Sequence, residues 1–291
     1  MWKKVLGSLA GILVVLAVVL YFFGGRIALY LVIDRHVDVD TLAVPGATQV
    51  ELVTEDGLHL DAWDFSADQP RGSVVIISGL AGPSVTYLQE MGRMLQNAGY
   101  AALLVELRGV AGSDDSPTGA QEGGTGEVRD VLAGIDYLKQ KYPGAPVGAW
   151  GTSMGGHTVL ATLAHSPDLK AVVAASAFTS FGDMAELTVK GARDPVNQMM
   201  EDRYGRFAET TALEAISATT VPVLLAWSRE DSQVPPRMSE ELAKAYPEAE
   251  TFVVDGDEHF IIPTTDDGFA EPLHQHAYGK AVLDFFDRAF A

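Results

Sequence analysis

Six short runs of the chain, Val74 to Ile77, Ala101 to Val105, Val147 to Trp150, Ala171 to Ala175, Val223 to Trp227 and Phe252 to Val254, are apolar throughout instead of at every second residue. A strand with one wet face alternates, so runs without alternation suit strands covered on both faces, as in a parallel sheet. Helical patterns separate them. Leu88, Met91 and Leu95 share one face of one intervening segment, and Val128, Val131, Leu132, Ile135 and Leu138 recur at three- and four-residue steps in the next. Such alternation predicts an α/β fold with a doubly wound, mostly parallel sheet. Ahead of it, Val50 to Thr54 and Leu58 to Asp64 flank Glu55-Asp56-Gly57, whose Asp-Gly step favours a hairpin. That pair adds two antiparallel edge strands, for about eight in all.

Between the run ending at Trp150 and a helix starting near Gly155 stands Gly151-Thr152-Ser153-Met154-Gly155-Gly156. A serine at the tip of a sharp strand-to-helix turn needs a strained backbone, and glycines two before and two after it let strand and helix approach. The five-residue pattern alone is weak in a chain with 29 Gly; its placement between strand and helix gives it weight. A serine hydroxyl is a poor nucleophile at neutral pH and needs a base, most suitably an imidazole. Of seven histidines, His259 follows the last apolar run, at the carboxyl end of the sheet where α/β sites form. It is the predicted base. His157 lies one turn beyond Ser153 on the same helix, a spacing that favours packing. His274 and His276 are two apart, which faces one way only on a strand, whereas a helical pattern begins there, so no metal is expected.

An imidazole in this role needs an acid behind it to fix its tautomer. Asp231, in the loop after Val223 to Trp227, fits, and Ser153, Asp231 and His259 then follow the chain order of nucleophile, acid and base seen with such an elbow. Glu230 is the neighbouring rival, with Asp255 and Asp257 more remote. A tetrahedral intermediate also needs two preorganised donors for its oxyanion, usually backbone N–H groups. Met154, directly after the nucleophile, supplies one; Leu80, in Ser78-Gly79-Leu80-Ala81-Gly82 after the first parallel run, is the choice for the other.

These residues resemble the α/β-hydrolase superfamily, and the order of segments looks like its serine-aminopeptidase-like, lipase-like branch, some members of which carry one N-terminal membrane anchor. The resemblance spans Gln49 to the C-terminus. Arg108-Gly109 with Ser113, Pro222, and Val234-Pro235 agree with it. Ser78 departs, standing where the family usually has histidine before Gly79, and so does Ala111, which replaces the second glycine of an Arg-Gly-x-Gly-x-Ser pattern. Residues 176–221 form a long connection where such folds insert a small helical cap. Met184, Met199, Met200, Tyr204 and Phe207 there suit an adaptable apolar pocket or the cap's own core. Lys190, Arg193, Arg203 and Arg206 make it locally basic, toward anionic groups or solvent.

Residues 5–25 carry no charge, with Lys3 and Lys4 before them and Arg26 after. As a helix rising about 1.5 Å per residue, this stretch crosses the roughly 30 Å hydrocarbon core. It is long for a signal-peptide core and no small-x-small cleavage site follows closely. The prediction is one transmembrane helix within an anchor over 1–35, a linker over 36–48, and a hydrolase domain over 49–291 with its cap at 176–221. The two lysines place the N-terminus in the cytoplasm and the domain outside, periplasmic or extracellular. A net charge of −19 argues against a nucleic-acid partner, and the lack of Cys rules out thiolate nucleophiles. The expected activity is a membrane-anchored serine hydrolase that cleaves an ester, or an amide, in a small-molecule, lipid or peptide substrate through an acyl-enzyme on Ser153, with no cofactor. A serine peptidase or aminopeptidase would use the same triad. A non-catalytic, membrane-tethered binding module is the reading from another class.

Overall fold

The computed structural model describes residues 36–37, 44–80, 84–265 and 268–291. The predicted anchor over 1–35 lies outside them; among the described residues no helix is long and apolar enough to cross a membrane. Eight strands form one sheet: β1 (Thr48–Val53), β2 (His59–Phe65), β3 (Ser73–Ile77), β4 (Ala101–Val105), β5 (Val147–Thr152), β6 (Leu169–Ala175), β7 (Val223–Ser228) and β8 (Glu250–Val254), ordered β1-β2-β4-β3-β5-β6-β7-β8. β1 pairs β2 and β2 pairs β4 antiparallel, and every other pairing is parallel. The Asp56-Gly57 turn closes the hairpin with Gly57 at φ +84°, a value that glycine adopts without a Cβ clash.

Both faces of the sheet are covered, which is why its central strands read as unbroken apolar runs: β3, β4, β5 and β7 are buried at every residue. Helix α1 (Ser84–Asn97) covers one face with Leu88, Met91 and Leu95, beside Val282, Phe285 and Phe286 near the C-terminus. Helices α2 (Val128–Lys141) and α3 (Met154–Thr162) cover the other with Val131, Ile135, Leu138, Val159 and Leu160. Between β6 and β7 come α4 (Phe181–Thr188), α5 (Arg193–Tyr204), a 3₁₀ turn (Gly205–Phe207) and α6 (Ala212–Ala218). Then α7 (Pro236–Ala245) returns to the α3 face and α8 (Ala277–Ala289), which carries Val282 to Phe286, ends on the α1 face.

Two boundaries differ from the sequence reading. Val44 is buried with the α1 and α8 side chains, and Val37 pairs with Val110 while His36 bonds Asp115 and the Ala111 carbonyl. The described residues of the expected linker therefore pack on the domain, because their apolar side chains find a place in its core. In the connection 176–221, α6 belongs to the body, with Ala212 and Ile216 in the same core as α3. Helix α5 forms a small cluster of its own, where Val196, Met200 and Tyr204 pack together, whereas Phe207 of the 3₁₀ turn is buried against Val128 and Ala161 of α2 and α3. Two of the connection's four cations are paired within the chain: Arg193 with Asp183 at 2.5 Å, and Arg206 with Glu55 of the hairpin turn at 2.8 Å.

Arg108, after β4, is fully buried and explains its place in the sequence pattern. Its guanidinium donates to Asp130 (3.0 and 2.7 Å), Asp56 (2.9 and 3.2 Å) and Glu122 (3.2 Å), joining the β4 loop to α2 and to the hairpin turn. Removing one partner of such a buried network leaves the others' charges uncompensated, at a cost of about 3–5 kcal/mol. Arg108→Met is therefore expected to lower the unfolding free energy by about that amount, read as a lower denaturant midpoint at constant slope.

Beside this network lies Glu127, fully buried, whose two oxygens accept the N–H groups of Glu122 (2.6 Å) and Gly124 (2.9 Å). Burial, with the nearby Glu122 and Asp130 carboxylates, pushes its pKa up to about 8 against an ordinary 4.5. Between those values the folded protein holds a proton that the unfolded chain has released. Stability therefore falls as pH rises through this window, by up to about 1.4 kcal/mol per pH unit, and the loss levels off above it. Glu127→Gln cannot titrate, so denaturant midpoints measured from pH 5 to 8 should fall less steeply in the variant than in the wild type. Equal slopes would contradict the assignment.

Candidate active site

The turn from β5 into α3 carries Ser153 at φ 59°, ψ −121°, a conformation that costs a non-glycine residue about 1–3 kcal/mol. The surroundings hold it there. Its N–H donates to the Ala175 carbonyl of β6 at 2.8 Å, and its carbonyl accepts the His157 N–H at 3.1 Å, starting the helix. The flanking glycines are a steric requirement: a Cβ at Gly151 would run into the Gly155 carbonyl, and one at Gly155 into the Ser78 carbonyl. The loop after β3 also presses against the serine, since a Cβ on Gly79 would stand 2.9 Å from Ser153 Cβ and 3.3 Å from its Oγ. Leu80 follows directly on that loop, and Met154 opens α3. Neither backbone N–H has a hydrogen-bond partner among the described residues.

Asp231 and His259 meet from two other loops at the same edge of the sheet. Asp231 Oδ2 lies 2.7 Å from His259 Nδ1, with both side chains buried. The other oxygen, Oδ1, accepts the N–H groups of Gln233 (2.8 Å) and Val234 (3.0 Å), so the carboxylate is aimed by its own loop. Burial pushes the Asp231 pKa up, but the His259 ring and those two N–H groups outweigh it and hold the carboxyl below its ordinary 3.8. An ionised carboxylate only accepts, so the proton sits on Nδ1 and Nε2 keeps its lone pair. Glu230, Asp255 and Asp257 are exposed, which leaves Asp231 as the acid on the ring.

Two serines not singled out from the sequence clamp the histidine loop. Ser176 Oγ donates to the His259 carbonyl at 2.7 Å, and Ser228 Oγ to the Glu258 carbonyl at 2.6 Å. Each directly follows an apolar run, at the carboxyl edge of the sheet, which is the signal that could have found them. The Ala175-Ser176 step thus ties both Ser153, through its N–H, and the His259 loop. No hydrogen bond joins Ser153 Oγ to the His259 ring; catalytic contacts of this kind often tighten only in the substrate complex.

Two other histidines have structural roles. His157 stacks on Phe178 with ring centroids 4.4 Å apart and bonds the Phe178 carbonyl through Nδ1 at 3.1 Å, as its helical spacing from Ser153 predicts. His276 caps α8, its Nδ1 accepting the Tyr278 N–H at 3.1 Å, while His274 is exposed. Among the described residues no cluster of carboxylates and imidazoles is placed to hold a metal ion.

A serine in a strained elbow stands on the same sheet edge as a buried Asp-His pair, and the comparisons with known proteins bear on the fold that carries them. Residues 68–210 match the family described as Serine aminopeptidase, S33. An uncharacterized protein of Mycobacterium tuberculosis is 25% identical over 213 residues, 72% of this chain and 71% of its own. A polyketide transferase of a Penicillium species is 24% identical, over 65% of this chain and 60% of that one. An esterase of Pyrococcus furiosus superposes with a TM-score of 0.67 at 20% identity, over 88% of this chain and all of its own. The fold of the chain is the α/β-hydrolase fold.

Proposed function

We propose that the protein is a serine hydrolase that cleaves esters through an acyl-enzyme on Ser153. The observation that carries this reading is the buried 2.7 Å contact between Asp231 Oδ2 and His259 Nδ1. His259 Nε2 takes the Ser153 proton as the hydroxyl attacks the carbonyl carbon, and Asp231 stabilises the imidazolium that forms. The oxyanion falls to the N–H groups of Met154 and Leu80, a role supported by their having no hydrogen-bond acceptor among the described residues. The imidazolium then protonates the leaving alcohol, and water, deprotonated by the same ring, releases the acid.

Rapid mixing with p-nitrophenyl butanoate tests this directly. The expected trace is a burst of one nitrophenolate per chain followed by slower turnover. Release no faster than in buffer would overturn the reading and favour a binding module. Peptidase action is the second reading, favoured by the description of the matching family. Ester and peptide p-nitroanilide turnover, compared on one preparation, separates the two.

The domain acts while tethered. Residues 5–25 cross a membrane with the N-terminus in the cytoplasm, a reading supported by 21 consecutive uncharged residues after Lys3 and Lys4. Val37, twelve residues beyond this stretch, is paired with Val110 on the body. The full chain should then stay with membranes in alkaline carbonate, and a chain lacking residues 1–35 should leave them.

A further inference from the structure

Beneath α5 lies a cavity of about 110 Å³ lined by His157, Thr125, Asn197, Phe181, Met200 and Phe207. Ser153 is not in its wall, but the cavity is a neighbour of the nucleophile. His157 stands four residues on from Ser153, about 6 Å of helix rise. Leu80, on the loop beside Ser153, packs in the same cluster as Phe181 and Met200.

The His157 ring is committed on one side only. Its Nδ1 donates to the Phe178 carbonyl, so the ring proton resides there, and burial lowers the pKa to about 4, which keeps the imidazole neutral. Nε2 therefore carries a lone pair. No group among the described residues donates to it, although the residue is only 4% exposed. Asn197 uses Oδ1 to accept the Gly182 N–H at 2.9 Å, and among the described residues neither its amide N–H groups nor the Thr125 hydroxyl has a hydrogen-bond partner. Nε2 is open to the cavity, so a molecule entering there can donate to it, and the two neighbouring groups can supply the return bond.

We propose that this cavity is a subsite for the far end of an acyl chain bearing a hydroxyl group, which donates to His157 Nε2 and accepts from Asn197 or Thr125. The inference rests on the hydrolase reading of Ser153. The buried polar groups of the wall are all neutral, and the charged lining residues, Glu201, Glu209 and Glu214, are exposed carboxylates that repel an anionic chain end. A neutral donor is the group that fits both.

The test compares p-nitrophenyl esters of hexanoate, 6-hydroxyhexanoate and monoadipate. The hydroxy ester should exceed the plain one in kcat/KM by roughly 5–10-fold, the worth of one net hydrogen bond, and the anionic ester should fall below both. His157→Asn keeps an N–H for the Phe178 carbonyl but offers the cavity no ring acceptor, so the hydroxy-to-plain ratio should drop to near one. Thr125→Val, nearly isosteric, should lower the ratio partway. A ratio near one in the wild type, or one unchanged in both variants, overturns the subsite.

A second measurement is independent of turnover. In ¹⁵N-histidine-labelled Ser153→Ala protein, 1,6-hexanediol should shift the His157 Nε2 resonance; an unmoved resonance means that the cavity takes water only. If no ester is hydrolysed while that resonance still moves, the hydrolase reading fails and the cavity remains a site for hydroxyl-bearing ligands.

Discussion

Replacing Ser153 with alanine should lower kcat for ester hydrolysis on the order of 10⁶-fold, the scale seen when the nucleophile of a serine triad is removed. What residual rate remains comes from binding and from the oxyanion donors, which the substitution leaves in place. The elbow geometry adds a test that separates this loss from unfolding. Ser153 is held at φ 59°, and alanine suffers the same Cβ strain there as serine, so Ser153→Ala should unfold at nearly the wild-type denaturant midpoint. Glycine relieves the strain. Ser153→Gly should be equally inactive yet more stable by about 1 kcal/mol, less whatever chain entropy glycine adds to the unfolded state. A variant that is inactive and more stable has lost chemistry alone, and such a pair shows that the strain serves catalysis.

Asp231→Asn should cost about 10⁴-fold in kcat with little change in KM, since exchanging the carboxylate for an amide leaves the geometry but inverts the hydrogen bond. The amide turns an N–H toward His259 Nδ1, the ring proton moves to Nε2, and the lone pair that should receive the Ser153 proton is lost. Stability carries a matching signature. The Asp231 carboxyl sits below its ordinary pKa of 3.8, so the ionised form stabilises the fold above that pH, and the contribution is lost as pH falls through the folded-state value. Acid unfolding of Asp231→Asn should lack this component. Titration of activity and of unfolding on one protein sample would check both.

Much of the fold was legible because its physical causes are local. Unbroken apolar runs such as Ala101 to Val105 suit strands covered on both faces, and the Asp56-Gly57 step carries its own turn conformation. The elbow was legible for the same reason, since glycines at 151 and 155 are demanded by atoms within a few residues or on one adjoining loop. His259 and Asp231 were chosen by a chemical requirement instead, each as the fitting residue type at the carboxyl end of a strand, and the structure brings their side chains within 2.7 Å.

What escaped depends on residues far apart in the chain. Nothing local in Asp56, Glu122 or Asp130 shows that all three converge on Arg108, and the raised pKa of Glu127 exists only once that cluster is folded. Ala111 illustrates the limit. Its departure from the glycine pattern reads as neutral in sequence, yet it sits at φ 52°, where glycine would be unstrained. The cap boundary was missed because α6 has an ordinary amphipathic pattern that does not say which core it joins.

The most direct test is to treat wild type and Ser153→Ala with a fluorophosphonate, digest both, and locate the phosphonyl group by mass spectrometry. A single modification on Ser153 in the wild type, absent from the variant and slowed by His259→Ala, is the expected outcome. Modification of a different residue, or equal labelling of the Ser153→Ala protein, would contradict a nucleophile built on this elbow.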